Sequence, residues 1–203
     1  KQHTSENKFK LNSDSLEIHF GYLFSKNNKH LIVKRKFGWG IYTDIFLFKH
    51  QIFKPICSKE VASLSYLGDT IRDVNGDGKL DFLIHWYPAA GCCPRDVYDV
   101  FLQNSTGEFS REFEFMNPVF SPHEKIIRGR SYGYEAPLYK YKRRGFNVDT
   151  IEFIYFPGDE NGPQLVKRRH DNREEKGQVL TRLPDEYKRI GYDYESGQYA
   201  TFK

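Results

Sequence analysis

The chain has 203 residues, 38% of them hydrophobic and 16% aromatic, with a formal net charge of +4. That length suits one domain, or at most two small ones, and allows a sizeable core. The low charge and the lack of a readable motif argue against nucleic-acid binding. No apolar stretch approaches the ~20 residues that span a bilayer. Because Phe and Tyr fit pleated sheets better than helices, the composition favours an all-β protein.

Residues 1–12 are polar and are predicted to form a flexible tether before a single all-β domain over residues 13–203. The sequence begins at Lys1 without an initiator Met. We therefore expect a truncated chain or the mature product of a cleaved precursor, with any signal peptide or lipid-anchoring Cys upstream. These features suit an exported protein.

Strand-like segments follow one another in chain order with short turns between them. Residues 16–24 alternate apolar and other side chains, which is typical of a half-buried strand. Residues 80–87 are apolar on both faces, which predicts a central strand. Further strands are predicted at residues 29–36, 41–49, 97–103, 108–115, 138–143, 148–156, 192–194 and 198–202.

Helix signals are nearly absent from the sequence. Only residues 58–67 and 184–189 are predicted to form short helical turns. Several of the predicted strands flank turns that contain Gly, where a positive φ costs little. We therefore predict consecutive antiparallel hairpins in a propeller-like but incomplete arrangement.

The segment from Asp73 to Asp81 reads Asp-Val-Asn-Gly-Asp-Gly-Lys-Leu-Asp. Calcium takes about six to eight oxygen ligands, and alternate residues of a tightly wound loop can converge on one point. Gly78 falls at the sixth position, where the backbone must turn sharply. The predicted ligands are Asp73, Asn75, Asp77, the carbonyl of Lys79, and Asp81.

The loop is not an EF-hand, because its twelfth position is Ile84, which offers no carboxylate. The affinity is therefore expected to be modest, as suits a module that meets abundant extracellular calcium. The alternative interpretation is a metal-free hairpin turn rich in Asn, Asp and Gly.

The chain has three cysteines, Cys57, Cys92 and Cys93, so internal pairing cannot be complete. Neighbouring Cα atoms lie ~3.8 Å apart, below the usual disulfide range, which disfavours a bond within the adjacent pair. A bridge from Cys57 to either Cys92 or Cys93 is expected if the protein is exported.

The Asp-x-Asn-x-Asp-Gly-x-x-Asp loop, running directly into an apolar strand, resembles the calcium loops of integrin-like propeller repeats. It resembles more closely a family of small bacterial periplasmic proteins and lipoproteins that have a propeller-like β fold and one such loop. Residues 98–109 and 115–129 are also similar to segments of that family, so the resemblance covers roughly residues 69–156, and an insertion at residues 88–95 departs from its pattern. The family includes calcium-binding lysozyme inhibitors and immunity proteins against lysozyme-like effectors. The resemblance therefore implies an exported protein, either periplasmic or a lipoprotein of the outer membrane or cell surface.

Arg and Tyr, the residues most enriched at binding hot spots, recur between residues 128 and 134. Together with Tyr87 and the Cys-Cys-Pro-Arg insertion, they are expected on loops that a partner can reach, although ordinary sheet-edge aromatics are an alternative. The candidate partner-binding residues are Tyr87, Arg95, Arg128, Arg130, Tyr132 and Tyr134.

No nucleophile motif, free carboxylate dyad or His-containing metal set identifies a catalytic site in the sequence. We therefore predict a non-enzymatic, calcium-binding module that recognises another protein. The resemblance implies lysozyme inhibition or effector immunity as its specific form. The alternatives are a carbohydrate-active hydrolase, centred on His85 or on a carboxylate outside the calcium loop, and a purely structural or glycan-binding lipoprotein.

Overall fold

The computed structural model of the chain describes residues 5–11, 14–88, 96–131, 137–144, 147–156, 158–159, 162–163, 165–172, 174–188, 190, 192–193 and 198–199. Within these residues the chain forms β-strands and two short 3-10 helices, with no α-helix. The main sheets are three antiparallel sheets of consecutive hairpins, none of them closed into a barrel. The all-β prediction is therefore confirmed.

The first sheet has five strands in chain order, each paired antiparallel with the next. They are β1 (Ser5–Leu11), β2 (Asp14–Gly21), β3 (Lys29–Phe37), β4 (Gly40–Lys49) and β5 (Ile52–Ala62). The predictions for β3 and β4 match closely because both segments alternate apolar and polar side chains over their whole length.

The polar sequence of residues 5–11 predicts part of a flexible tether, and the structure differs. These residues form the edge strand β1, which pairs with β2 from Ser5↔Phe20 to Leu11↔Asp14. An edge strand needs only backbone pairing on one side and tolerates polar, Lys-rich sequence. A polar composition therefore does not distinguish an edge strand from a tether.

The second sheet contains β6 (Tyr66–Arg72), β7 (Asp81–Trp86), β8 (Val97–Phe101) and β9 (Phe113–Met116), in that order. Strand β7 pairs with both β6 and β8, which confirms the predicted central strand. Its first four residues are all buried, as expected for a strand covered on both faces.

The prediction of a helical turn at residues 58–67 is wrong. These residues complete β5, make the turn that follows it and begin β6. The Lys, Glu, Ala and Leu residues of this segment favour helices only weakly. Pairing with β4 from Ile52 to Ala62, which buries Cys57 and Val61, outweighs that preference.

The contacts of the chain divide it into two compact units. The described residues of the first unit run to Glu114, and those of the second begin at Phe115 and include residues 74–76 and 96. The first unit has an apolar core between its two sheets. Its buried members are Phe24, Ile32, Ile45, Cys57, Val61, Phe82, Ile84 and Phe101.

The second unit contains the third main sheet, with strands in the order β10-β11-β12-β13-β16-β17. Its strands are β10 (Val119–Ser121), β11 (Ile126–Arg130), β12 (Leu138–Arg144), β13 (Asn147–Tyr155), β14 (Gly158–Asp159), β15 (Gly162–Pro163), β16 (Leu165–Arg168), β17 (Gln178–Leu180), β18 (Tyr192–Asp193) and β19 (Gln198–Tyr199). The 3-10 helices are Pro122–Glu124 and Asp185–Tyr187. The second of them coincides with the helical turn predicted at residues 184–189.

Candidate functional site

The predicted calcium loop is the connection between β6 and β7. Arg72 and Asp81 are directly opposite each other in the β6–β7 ladder, so the two ends of the loop are held together by the hairpin. The loop is therefore fixed at its base by regular backbone pairing. Asp81, its last predicted ligand, is already the first residue of β7 and has no exposed surface.

Two backbone hydrogen bonds wind the loop onto its own carboxylates. The Gly78 N–H donates to Asp73 Oδ2 at 2.8 Å, which joins the first and sixth positions of the loop. The Lys79 N–H donates to Asp77 Oδ1 at 3.0 Å. Gly78 has φ +79°, and a Cβ added there would meet no heavy atom within 4 Å, so the backbone conformation alone favours glycine.

Gly76 is required for a second reason. It has φ +72°, and a Cβ on this residue would lie 1.7 Å from the carbonyl oxygen of Pro122. Both residues belong to the second unit. No side chain can be accommodated at that separation, so this close approach of two backbones depends on glycine.

The carboxylates of the loop have different surroundings. The Asp81 carboxylate is buried and accepts the Gln103 N–H at 2.9 Å through Oδ1. The Asp77 carboxylate lies 2.9 Å from the Lys79 ammonium through Oδ2, so a cation supplied by the loop already neutralises part of its charge. Asn75, assigned to the second unit, is 2% exposed.

The ligand types in the loop fit calcium, because carboxylates, an amide and a carbonyl are hard oxygen donors. Its two left-handed glycines also allow the tight winding that such a loop needs. Among the described residues, no group of three or more His, Cys, Asp or Glu side chains is arranged to hold a metal ion. The convergence of the loop oxygens on a single ion therefore stays a prediction.

Only some of the candidate partner-binding residues lie in the part of the chain that the structure describes. Arg95, Tyr132 and Tyr134 lie outside the described residues. Tyr87 is 37% exposed and follows the end of β7, where its N–H donates to the Ser65 carbonyl at 2.7 Å.

The prediction that Arg128 lies on an accessible loop is wrong. Arg128 lies in β11 and is 5% exposed. Its guanidinium pairs with Glu124 and donates to Glu186 Oε2 from Nη2 at 2.7 Å. A buried Arg is stabilised by such carboxylate partners, which leaves little of it for another protein. Arg130, at the end of the same strand, is half-buried.

A group of exposed apolar side chains, which was not predicted from the sequence, lies at one end of the first unit. Phe37, Trp39 and Leu64 are 69%, 79% and 78% exposed. The Ser63 N–H donates to the Trp39 carbonyl at 2.7 Å, which joins the β3–β4 turn to the β5–β6 turn. The Tyr87 N–H donates to the Ser65 carbonyl, so the end of β7 also lies beside the β5–β6 turn. We name Phe37, Trp39, Leu64 and Tyr87 the apolar tip.

A signal for the apolar tip is present in the sequence. Phe37-Gly-Trp-Gly40 places two large aromatic residues within a hairpin turn, where polar residues are usual. Leu64 cannot be recognised in the same way, because the helical interpretation of residues 58–67 gives it no place at a turn.

His85, the centre of the enzymatic alternative, lies in β7 opposite Tyr98 of β8. The two rings are stacked, with centroids 4.3 Å apart and planes 2° from parallel. This cross-strand pair is the kind of contact that stabilises a sheet.

Cys57 lies in the core of the first unit and carries a free thiol. Burial raises the pKa of this thiol to about 12, so it stays protonated at neutral pH. Cys92 and Cys93, its predicted disulfide partners, lie outside the described residues.

Compared with known proteins, the chain matches no protein-family model, no curated protein and no solved structure. Within the described residues, no helix is long and apolar enough to cross a membrane.

Proposed function

We propose that this protein is a calcium-stabilised, non-enzymatic module that binds another protein through the apolar tip. The observation that carries the proposal is the exposure of Phe37, Trp39 and Leu64, each more than two-thirds accessible and all brought together by the turns of the first unit. Clustered exposed apolar residues mark interaction sites more often than scattered ones do. Trp and Tyr are also among the residues that dominate binding energy.

The β6–β7 hairpin separates the apolar tip from the calcium loop. Tyr66 pairs with Trp86 at the tip end of the hairpin, and Arg72 pairs with Asp81 at the loop end. Six residues of strand cover about 20 Å at ~3.4 Å per residue. Calcium in the loop would therefore stabilise the hairpin without touching a partner at the tip.

The ligands in the first unit would be Asp73, Asp77, the carbonyl of Lys79, and Asp81, with Asn75 predicted from the loop spacing alone. When bound, calcium would compensate the mutual repulsion of the three carboxylates. The chain's own contribution is the hydrogen-bonded winding between Asp73 and Gly78, which holds the loop compact.

The specific form of the proposal is inhibition of a lysozyme-like enzyme, or immunity to one, in an exported setting. Its support is the resemblance of the calcium loop and the segments that follow it to a family with those activities. The apolar tip is consistent with contact binding, because Trp39 and Leu64 lie in turns and are 79% and 78% exposed.

The test is a binding measurement on the full chain, immobilised in calcium-containing buffer and exposed to a panel of purified lysozymes. Trp39→Ala is expected to weaken binding at least ten-fold, because it removes the largest exposed aromatic of the tip. Val179→Ala is the matched control, since it removes a 62% exposed apolar side chain of the second unit.

The proposal fails if no lysozyme binds, or if Trp39→Ala and Val179→Ala bind as tightly as the unaltered chain. It also fails if the purified protein hydrolyses a glycan or peptidoglycan substrate and His85→Ala abolishes the turnover.

A further inference from the structure

The first sheet has a second apolar face, opposite to the one that forms the core. Directly paired residues of antiparallel strands project to the same side of the sheet. The pairs Ile18↔Val33, Phe20↔Leu31 and Leu31↔Phe46 therefore share one side. Ile32 and Ile45, which belong to the core, alternate with these residues along β3 and β4 and project to the other side.

Aromatic packing extends this second face across β4 and β5. Phe48 pairs with Phe53 in the ladder, and their ring centroids are 4.8 Å apart. Phe20 lies 5.9 Å from each of these two rings. We name Ile18, Phe20, Leu31, Val33, Phe46 and Phe48 the outer face, to which Phe53 is adjacent.

The outer face is accessible to solvent. All six of its residues are half-buried, and Phe53 is 43% exposed. Residues at the same strand positions on the core side, such as Ile45, are fully buried. Four strands at ~4.8 Å spacing and three rows at ~6.8 Å cover on the order of 400 Å², but Lys29, Asp44 and Ser58 occupy three of these positions, which leaves an apolar area on the order of 300 Å². That is at the lower end of the largest apolar patches of typical monomers, which are often functional.

The charges around the outer face are of both signs and are separated in space. Lys29 lies on one side of the apolar rows, with its ammonium 5.7 Å from the centre of the Phe20 ring. Glu60, the ladder partner of Tyr42, lies on the other side, whereas Asp44 is the ladder partner of Val33 within the apolar rows and is neutralised by Arg35. A surface with this arrangement is complementary to a second copy of itself turned end to end.

We propose that the outer face is the contact surface of a homodimer in which two first sheets pack face to face. The two-fold axis runs between the sheets and perpendicular to the strands, so Lys29 of each copy faces the Glu60 side of the other. An isologous contact of this kind uses one self-complementary patch twice. Aligned sheets of this type pack about 10 Å apart.

The available area is enough for such a dimer. The sheet is five strands wide, and β2 has eight residues. At ~4.8 Å between strands and ~3.4 Å per residue, each copy presents on the order of 600 Å². Two copies then bury on the order of 1,200 Å², the lower end of specific interfaces. A dimer of moderate, concentration-dependent stability is expected.

The test is sedimentation of the full chain between 1 and 100 µM (about the range in which such an interface dissociates). The unaltered chain is expected to shift from monomer to dimer within it. Leu31→Lys places a charge at the centre of the outer face, between its ladder partners Phe20 and Phe46, and is expected to weaken dimerisation at least ten-fold. Phe53→Lys, at a residue already 43% exposed, is the second variant and is expected to act in the same direction without unfolding the monomer.

Leu64→Lys is the matched control, because it changes an exposed apolar residue of the apolar tip and should leave dimerisation unchanged. Thermal melting verifies that each variant is folded. The proposal is overturned if the unaltered chain stays monomeric at 100 µM, or if the folded Phe53→Lys variant dimerises as strongly as the unaltered chain. It is also overturned if the chain is monomeric but binds neutral lipid vesicles through the outer face, shown by loss of vesicle binding in Phe53→Lys.

Discussion

The two units bury different charged and titratable groups. The core of the first unit is aromatic and aliphatic, with Phe24 packed edge to face against both Phe82 and Phe109. Beside it the buried Asp99 pairs with Lys59 at 2.9 Å. The second unit also has an apolar core, and its network of charged side chains is centred on the buried Arg128. The buried groups differ, so the two units should respond differently to substitution and to pH.

The charged network joins the second 3-10 helix to the strands of the second unit. Arg128 of β11 and Lys140 of β12 both bind Glu186, the latter with Nζ–Oε1 at 2.9 Å. The Tyr187 hydroxyl donates to Glu152 Oε1 at 2.8 Å. Burial alone would raise the pKa of Glu186, but hydrogen bonds from Lys140 and Arg128 lower it.

The first unit contains a buried base. His30 is 0% exposed, and within the described part of the chain neither of its ring nitrogens makes a hydrogen bond of normal geometry. Burial lowers the pKa of His30 to about 4, and backbone groups of Gly107 and Asn28 oppose that shift. The first unit is thus sensitive to protonation of a buried base as well as to loss of paired charges, and the second unit to loss of paired charges.

The largest expected effect on stability is that of Arg128→Met, in the charged network of the second unit. Removing one member of a buried ion pair costs about 3–5 kcal/mol when the partner is left unpaired. Glu186 keeps Lys140, so we expect a loss of about 2–3 kcal/mol in the free energy of unfolding, measured by urea denaturation. Arg130→Met, in the same strand but half-buried, is the control and should cost less than about 1 kcal/mol. If the two variants lose equal free energy of unfolding, the charged network around Arg128 contributes no more to stability than a half-buried Arg does.

The second expected effect is a loss of stability in mild acid that originates in the first unit. Because the pKa of His30 is lower when folded than when unfolded, the unfolded chain binds the extra proton between pH 6.5 and about 4. The contribution is complete above pH 6.5 and is lost as the pH falls toward 4, by about 2 kcal/mol.

The control for this effect is His30→Leu, which has no base to protonate and should show a flatter pH profile in the same window. The lowered pKa of Glu186 affects stability mainly below about pH 5, near and under its ordinary value of 4.5, so the two proteins are compared between pH 6.5 and about 5. If the free energy of unfolding falls as steeply with pH in His30→Leu as in the unaltered chain, groups other than His30 cause the loss of stability in acid.

The sequence predicted strands correctly where the local pattern of apolar and polar side chains agrees with the tertiary structure. The alternation in residues 29–36 and 41–49 located β3 and β4, and the apolar run after the loop located the central strand β7. The same reasoning failed for β1 and β5, where backbone pairing with a neighbour outweighs a polar or helix-favouring composition.

For the candidate sites, spacing located the loop but could not establish its contacts. The winding hydrogen bond from Gly78 to Asp73 follows from the glycine position, whereas the ion pair between Lys79 and Asp77 does not. Arg128 shows the same limit, because nothing near it in the sequence reveals that Glu186, 58 residues away, makes it a buried structural residue. The apolar tip depends on two turns and the end of β7, which meet only in the folded unit.

The smallest expected effect, and the most direct test of calcium stabilisation, is calorimetry of the full chain with calcium. Weak extracellular-type sites bind with Kd of about 10⁻⁴–10⁻³ M, and calcium at ten times Kd stabilises by about 1.4 kcal/mol. We predict one binding site and a rise in melting temperature of about 2–4 °C at millimolar calcium. Both should be lost in Asp77→Ala and kept in the control Asp96→Ala, which alters an exposed Asp outside the loop. The absence of both binding heat and a melting shift in the unaltered chain would contradict the account.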